Sequence, residues 1–573
     1  MRSYRRFSSS LSRAVHHVTT PIFYPNAKPH LGHLYSSLLC DASRRWQKMV
    51  GFQTLMTTGT DEHGLKIQTA SEAQNFASPK QFVDVLYKEF IKLDQNADIE
   101  YSRFIRTTDQ DHIDNVQKLW KLCEDRGYIY KGEHAGWYSI SDESFYPTSK
   151  VVKVALDGTK SPLEPGQTSG NCKFINTETN NEVIYQSEIN YFFKLSAVYD
   201  QLVHFLVEER PDFISPQSRR SEILKELLSS PLSDLSISRP ASRIRWGIDV
   251  PQDSSQKIYV WFDALCNYLT SLGGIDAIRD NTLVELKHTG LSSTDCPAKW
   301  WENTTHVVGK DISRFHVIYW PSFLIAAGLK LPKKVMVHGH WLSGGVKMSK
   351  SLGNVVDPQV MLSHYGSDIL RLFLLENSHL SSDCDFSEER LHNTSEKLAS
   401  KWGNLISRCC GSKFSLERAS RTFASKPFDK FERIISDAEA RKAYGMVING
   451  LLKLKGEYSK RMTNFDYRGA ILLVWDLIDK ANNFLQIAKP WTKTGEEQDL
   501  IIFTAIEAAR ISAVLCHPII PGLSAKFLNR IDVEPEKRTI AFASFGSDST
   551  YGCKSNTRGR ELPFARIPRR PDL

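Results

Sequence analysis

From Val15 to Thr20 the chain reads as a short apolar strand. It runs through Thr-Pro-Ile-Phe-Tyr-Pro-Asn into a helical stretch where Leu31, Leu34, Leu38, Ala42 and Trp46 recur at near three-to-four spacing. A second strand, Gln53 to Thr58, ends in the polar loop Gly59-Thr-Asp-Glu-His-Gly64. Strand, helix and strand with a loop at each carboxyl end is how a doubly wound α/β sheet begins. The pattern breaks off between about 105 and 245, where short aromatic-rich strands, a polar stretch (Asp157 to Asn181) and helices near 195–208 and 220–228 read as an inserted domain. It returns with strands at Lys257 to Trp261, His306 to Val308 and Lys334 to His338 and a helix from Phe315 to Ala327. After about 385 the strands stop, and amphipathic helices continue to roughly 530, one of them read as capped by Asn393 with Glu396 three residues on. The tail beyond about 540 is rich in Gly, Ser, Arg and Pro and is expected to carry no structure.

A chain of 573 residues has room for several domains. No apolar run is long enough for a membrane span. A net charge of +8 allows a nucleic-acid partner without requiring one. The ten cysteines form no CxxC pair, and Cys409 and Cys410 are adjacent, so reduced thiols are expected rather than a disulfide framework or a four-cysteine zinc site. The first forty residues hold no Asp or Glu but carry Arg2, Arg5, Arg6 and Arg13 among serines, the composition of a mitochondrial transit peptide.

Two motifs carry chemistry. His30-Leu-Gly-His33 opens the first helix, where unpaired backbone N–H groups and a partial positive charge suit a phosphate. Gly32 lets a nucleotide approach the backbone, and the two histidines, one turn apart, both reach phosphate oxygens. Lys347-Met348-Ser349-Lys350-Ser351 offers two lysines on a loop, suited to clamping a triphosphate as pyrophosphate leaves. A chance match to that pentapeptide in a chain of this length is on the order of one in a few thousand.

In that order the motifs resemble the class I aminoacyl-tRNA synthetases. Further segments are similar to the methionyl-tRNA synthetase family, mitochondrial form: Thr20 to Asn26, Gly59 to Gly64, Tyr191 to Lys194, Leu235 to Arg239, Trp246 to Pro251, Trp261-Phe-Asp-Ala264 with Asn267-Tyr268, and Gly309-Lys-Asp-Ile312 with Phe315-His316. The similarity runs from about residue 15 to 530. It implies a Rossmann-type catalytic domain (15–105 and 246–385) split by a connective insertion (106–245), then an α-helical anticodon-binding bundle (386–535). A transit peptide (1–14) precedes these and a tail (536–573) follows.

The activity implied is ATP-dependent activation of L-methionine and its transfer to tRNA(Met) bearing a CAU anticodon, in the mitochondrial matrix. His30, His33, Lys347 and Lys350 would be catalytic, with Gly32, Met348, Ser349 and Ser351 also on ATP and Mg²⁺ on its phosphates. Tyr24, Asp61, Trp261, Ala264, Tyr268, Phe315 and His316 match the methionine pocket, where aromatics suit a soft sulfur and Asp61 holds the ammonium. Asn404, Arg408 and Trp491 match the anticodon-reading positions; Asn404 and Arg408, four apart, share a helix face.

Many relatives carry a zinc knuckle of cysteine pairs in the insertion. Here Trp137 to Lys150 contains no cysteine, so a zinc-free version held by packing alone is expected. The chain ends without the β-barrel that dimerises some relatives, and a monomer is expected. Three rivals stay open: a synthetase for another amino acid, an RNA-binding relative without catalysis, and a small-molecule adenylyltransferase. The first would need a large editing insertion or zinc ligands. The second would not need a triphosphate clamp, and the third would leave the helical bundle without a task.

Overall fold

A computed structural model describes residues 14–280, 296–348 and 353–570, except 143, 156–157, 165, 169–171, 425, 555–558 and 560. The leader and Ser349, Lys350 and Ser351 lie outside these residues. Six strands form a parallel sheet: β1 (Val15–Thr19), β2 (Gln53–Thr60), β3 (Arg103–Arg106), β4 (Ile214–Ser215), β5 (Thr304–Gly309) and β6 (Lys334–His338), in the order β4-β6-β5-β1-β2-β3. β1 therefore pairs with β2 on one side and with β5, nearly 290 residues away, on the other. The buried His17 ties both neighbours, hydrogen-bonded through Nδ1 to Thr304 Oγ1 (2.9 Å) and through Nε2 to Thr57 Oγ1 (3.2 Å).

Helix α1 (Leu31–Met49) crosses from β1 to β2 with Leu31, Leu34, Leu38, Ala42 and Trp46 buried, as its periodicity predicts. It serves two cores. Toward the sheet it covers Val18 and Met56; away from it, Trp46 packs edge-on against Tyr458 at 5.7 Å and donates to Thr463 Oγ1 at 3.2 Å. One apolar cluster thus runs from the catalytic sheet into the helical region.

That region comprises α2 (Ser367–Glu376), α3 (Glu388–Lys397), a π turn (Leu398–Gly403), α4 (Asn404–Cys409), α5 (Ala438–Thr463), α6 (Tyr467–Ala488) and α7 (Gly495–Cys516), with shorter helices between and after them. The cap of α3 corrects the sequence reading. Ser387, not Asn393, is its N-cap, accepting from Arg390 N–H, with Glu388 and Glu389 in the first turn; Asn393 sits inside the helix.

Two further expectations change. The strand read as Lys257 to Trp261 ends at Ile258, and Trp261 lies on the short helix Val260–Leu265. The tail is ordered where it is described: Phe545, Phe564 and Ile567 pack on the bundle core, and Tyr551 is fully buried. The buried Arg510–Glu507 pair holds its start, Arg510 donating to Phe542 O and Ser544 O and Glu507 accepting from Gly546 N–H. Isolated aromatics in a Gly/Ser/Pro-rich stretch have no periodicity to read, yet each fills a gap between helices.

The insertion carries a long antiparallel ribbon, Ile129–Ser139 with Ile184–Phe193, and beyond it a knuckle whose buried apolar core, among the described residues, is Trp137, Val151, Phe174 and Val183. Packing is not its only support. The Asp142 carboxylate accepts hydrogen bonds from the side chains of Tyr146, Asn176, Thr179 and Asn181. Among the described residues no group of three or more His, Cys, Asp or Glu could hold a metal ion, and no helix is long and apolar enough to cross a membrane.

Candidate active site

The carboxyl ends of β1 and β5 meet where the sheet order reverses, the place at which open α/β sheets bind ligands. A cleft of about 380 Å³ opens there, lined among others by Tyr24, His30, Gly32, His33, Asp61, Trp261, Asp311, Lys347 and Met348.

The amino end of α1 is built around its two histidines. His30 is the N-cap; its Nδ1 accepts from Gly32 N–H at 3.0 Å, and His33 Nδ1 accepts from His30 N–H at 3.0 Å. This is a capping box made of imidazoles. Because each ring spends Nδ1 as an acceptor, its neutral form carries the proton on Nε2. Burial, then the neighbouring His30, hold His33 well below the usual histidine range, so it is a neutral N–H donor near pH 7. The rings stack with centroids 3.8 Å apart, and Phe23 and Phe90 pack edge-on against His33. Gly32 is required by this packing: a Cβ there would lie 2.9 Å from His30 Cε1.

Of the seven residues expected to bind methionine, Tyr24, Asp61 and Trp261 line the cleft. Phe315, on the π turn Phe315–Tyr319, stacks on Trp261 at 3.7 Å and 14°. Ala264, Tyr268 and His316 are buried in the structure around Trp261 rather than on the cleft surface. His316 Nδ1 donates to Ile312 O at 2.9 Å, so Nε2 accepts from Tyr268 Oη at 2.6 Å. Burial lowers His316 to about 4, which keeps it neutral.

A second cleft, about 870 Å³, lies in the bundle and is lined by Asn404, Arg408, Gln486 and Trp491 among others. Asn404 and Arg408 project from α4, directly after the π turn. Lys489, in the left-handed region at φ 47°, ends α6 and turns the chain into Pro490–Thr492, which leaves Trp491 43% exposed. The Arg408 guanidinium sits 5.8 Å from the Trp491 ring centroid, and its NH2 donates to Gln486 Oε1 at 3.4 Å.

Residues 16–410 match the family described as tRNA synthetases class I (M), and residues 436–544 match the anticodon binding domain of methionyl tRNA ligase. The chain belongs to the class I methionyl-tRNA synthetases. It is 54% identical over 567 residues to a mitochondrial methionine–tRNA ligase of Saccharomyces cerevisiae, spanning 97% of this chain and 96% of that protein. The Homo sapiens mitochondrial methionine–tRNA ligase is 36% identical, spanning 95% of this chain and 88% of that protein. A Mycobacterium tuberculosis methionyl-tRNA synthetase, solved in complex with methionyl-adenylate, superposes with a TM-score of 0.79 at 31% identity, covering 97% of this chain and all of that one.

In this methionyl-tRNA synthetase two further carboxylates hold groups that line the first cleft, and sequence reasoning missed both. Asp263, buried on the helix that carries Trp261, accepts from His63 Nδ1 and His112 Nε2, both at 2.7 Å. Burial would raise its pKa, but the His63 charge and the His112 hydrogen bond outweigh that and hold it low. His63 in turn offers its carbonyl to Tyr24 Oη at 2.7 Å, so Asp263 fixes two walls of the cleft at once. The second is Asp311, whose carboxylate pairs with Lys347 and lies 3.5 Å from His340 Nε2. Asp263 and Asp311 both fall inside segments that resemble the family, but their partners lie 29 to 200 residues away, where no spacing rule reaches.

Proposed function

We infer that this chain performs both steps of a methionine–tRNA ligase. In the first, a carboxylate oxygen of methionine attacks the α-phosphorus of ATP. The P–O bond to the β-phosphate breaks and pyrophosphate leaves, with Mg²⁺ entering on the ATP as part of the substrate. His30 and His33 donate Nε2–H to the oxygens on which charge builds, alongside the positive end of α1. Lys347, held by Asp311 in the absence of ATP, transfers to the triphosphate, and Lys350 joins it as the leaving group departs. Asp61 takes the methionine ammonium, and Trp261 backed by Phe315 supplies the polarisable wall for the thioether. In the second step the 2′-OH of the tRNA's terminal ribose attacks the adenylate carbonyl and releases AMP. No side chain acts as nucleophile, so catalysis is orientation and electrostatics.

The observation that carries this reading is the imidazole capping box. It spends both Nδ1 atoms on backbone N–H groups, which places the protons of the neutral rings on Nε2, at a cleft that also contains Tyr24, Asp61, Trp261 and Lys347. Acting in the mitochondrial matrix is supported by the mitochondrial relatives and by the Arg- and Ser-rich, acid-free leader.

The anticodon is read in the bundle cleft. Trp491 stacks an unpaired base, and Asn404 and Arg408 address base edges. Loss of a stacking aromatic costs about 1–3 kcal/mol, so Trp491→Ala is expected to weaken tRNA binding about 5- to 150-fold. Methionine-dependent ATP–pyrophosphate exchange, read at the distant cleft, stays within about twofold. Charging assays on transcripts with CAU and altered anticodons test the reading. Arg408→Ala should lower the preference for CAU; an Arg408→Ala enzyme that charges CAU transcripts as selectively as the parent contradicts it.

A further inference from the structure

The knuckle at one edge of the catalytic cleft has too little core to hold itself. Among the described residues, its four buried apolar residues are supported by the partly buried Tyr146, Leu163 and Cys172 alone. Units with so small a core ordinarily need a disulfide or a structural metal. All ten cysteines are free, and among the described residues no metal-ligand cluster exists.

What crosses the knuckle is a carboxylate. Asp142 Oδ2 accepts from Thr179 Oγ1 at 2.6 Å, Tyr146 Oη at 3.0 Å and Asn176 Nδ2 at 3.1 Å, while Oδ1 accepts from Asn181 Nδ2 at 2.7 Å. The Asp142 backbone N–H closes its own turn on Ser139 Oγ at 3.2 Å. The donors come from two separate stretches, the turn 139–146 and the loop 176–181. Asn176 orders that loop from within, its Oδ1 accepting from the N–H groups of Glu178 and Thr179. Burial alone would raise the Asp142 pKa; the donors, Thr179 foremost, outweigh it and hold the group below the usual carboxylate range. Only an ionised carboxyl suits this place. It offers about four acceptor sites and no donor, whereas a carboxamide halves the acceptors and adds two donors facing donors.

Among the described residues, Asp142 is also the one residue of the ribbon and knuckle that lines the catalytic cleft, together with groups carried by the sheet and α1. Those groups are anchored in the large core and do not depend on the knuckle. A loosened knuckle therefore leaves the ATP and methionine positions in place but moves the outer wall. The step that needs the outer wall is the one in which the end of a macromolecule enters beside the adenylate. We propose that Asp142 is a positioning residue for the transfer step, its carboxylate serving as a metal-free staple that fixes the knuckle against the incoming tRNA terminus. This rests on the ligase reading above.

The test uses full-length protein with Asp142→Asn and, as a milder change, Thr179→Val, which removes one of the four donors and spares the carboxylate. Displacements of about an ångström at a reacting centre cost up to 10²-fold, so single-turnover transfer from preformed methionyl-adenylate to tRNA should slow about 10- to 100-fold in Asp142→Asn. Methionine-dependent exchange should stay within about twofold. Amide hydrogen exchange of residues 173–183 should quicken in both variants, less in Thr179→Val. Should Asp142→Asn fail to fold, Thr179→Val carries the test, with slower transfer and unaltered activation as the expected split. Transfer at the parental rate from a folded variant, or exchange and transfer falling together, overturns the proposal. Failure of the parent enzyme in both assays overturns the ligase reading instead, so the two failures are distinguishable.

Discussion

Replacing His33 with alanine is expected to slow methionine-dependent ATP–pyrophosphate exchange about 10²- to 10³-fold, the usual effect of removing one preorganised donor from a developing charge. The sizes of two separate losses set the design of the experiment. His33 supplies Nε2–H to the cleft and also accepts His30 N–H through Nδ1, so alanine removes a donor and half of a helix cap. Loss of a cap alone costs about 0.5–2 kcal/mol of stability. His33→Asn separates the effects, because its side-chain oxygen can still accept the His30 N–H while nothing replaces the imidazole donor at its full reach. Asparagine should recover most of the lost thermal stability and little of the lost rate. Methionine KM should change by no more than about threefold in either variant, since an interaction made mainly in the transition state lowers kcat rather than binding. A rate within tenfold of the parent for folded His33→Ala would remove this residue from the chemistry.

The largest effect on stability is expected at Arg371, which lies on α2 and is fully buried with its partner Asp41 on α1. Its guanidinium donates to Asp41 Oδ2 at 2.7 Å, to Ala97 O and Asp98 O at 3.2 Å, to Pro518 O at 3.1 Å and to Ile519 O at 2.8 Å. One side chain thus ties the signature helix, the end of the helix Pro79–Asn96 and the turn that follows α7. Asp41 keeps Arg44 and Arg45 when Arg371 is lost, and Ala97 O and Asp98 O keep Ser367 Oγ and Arg45, but Pro518 O and Ile519 O lose the guanidinium. Breaking a buried pair of this kind costs about 3–5 kcal/mol, and that is the loss expected for Arg371→Ala in urea unfolding. Lysine restores the charge but not the planar fork, so Arg371→Lys should fall between parent and alanine. A loss under about 1 kcal/mol for Arg371→Ala would mean that the domains are joined elsewhere.

The sequence foretells this architecture where the information is local. The period of α1, the strand–loop–helix junction at His30 and the strands at His306 and Lys334 all lie within windows of a few turns, and each stands as read. Long-range closure was not legible. Arg371 meets Asp41 across 330 positions, Asp263 meets His63 across 200, and Asp142 meets Asn181 across 39. None of these polar partners leaves a periodic trace. Local signals also mislead when two compete: Asn393 with Glu396 has capping-box spacing, yet Ser387 caps the helix six residues earlier, where the chain leaves the strand Cys384–Phe386. Trp261 reads as strand because aromatic and β-branched residues surround it, but Tyr259 takes the N-cap position and the chain turns into a helix. That turn sets Trp261 against Phe315.

Above all, this fold activates methionine. Amino-acid-dependent ATP–pyrophosphate exchange, run with each of the twenty amino acids on protein lacking the first dozen or so residues, tests it most directly. Exchange with methionine alone, abolished by Lys350→Ala, is the predicted result. Exchange with a different amino acid, or none from a folded protein that still binds tRNA, would contradict it.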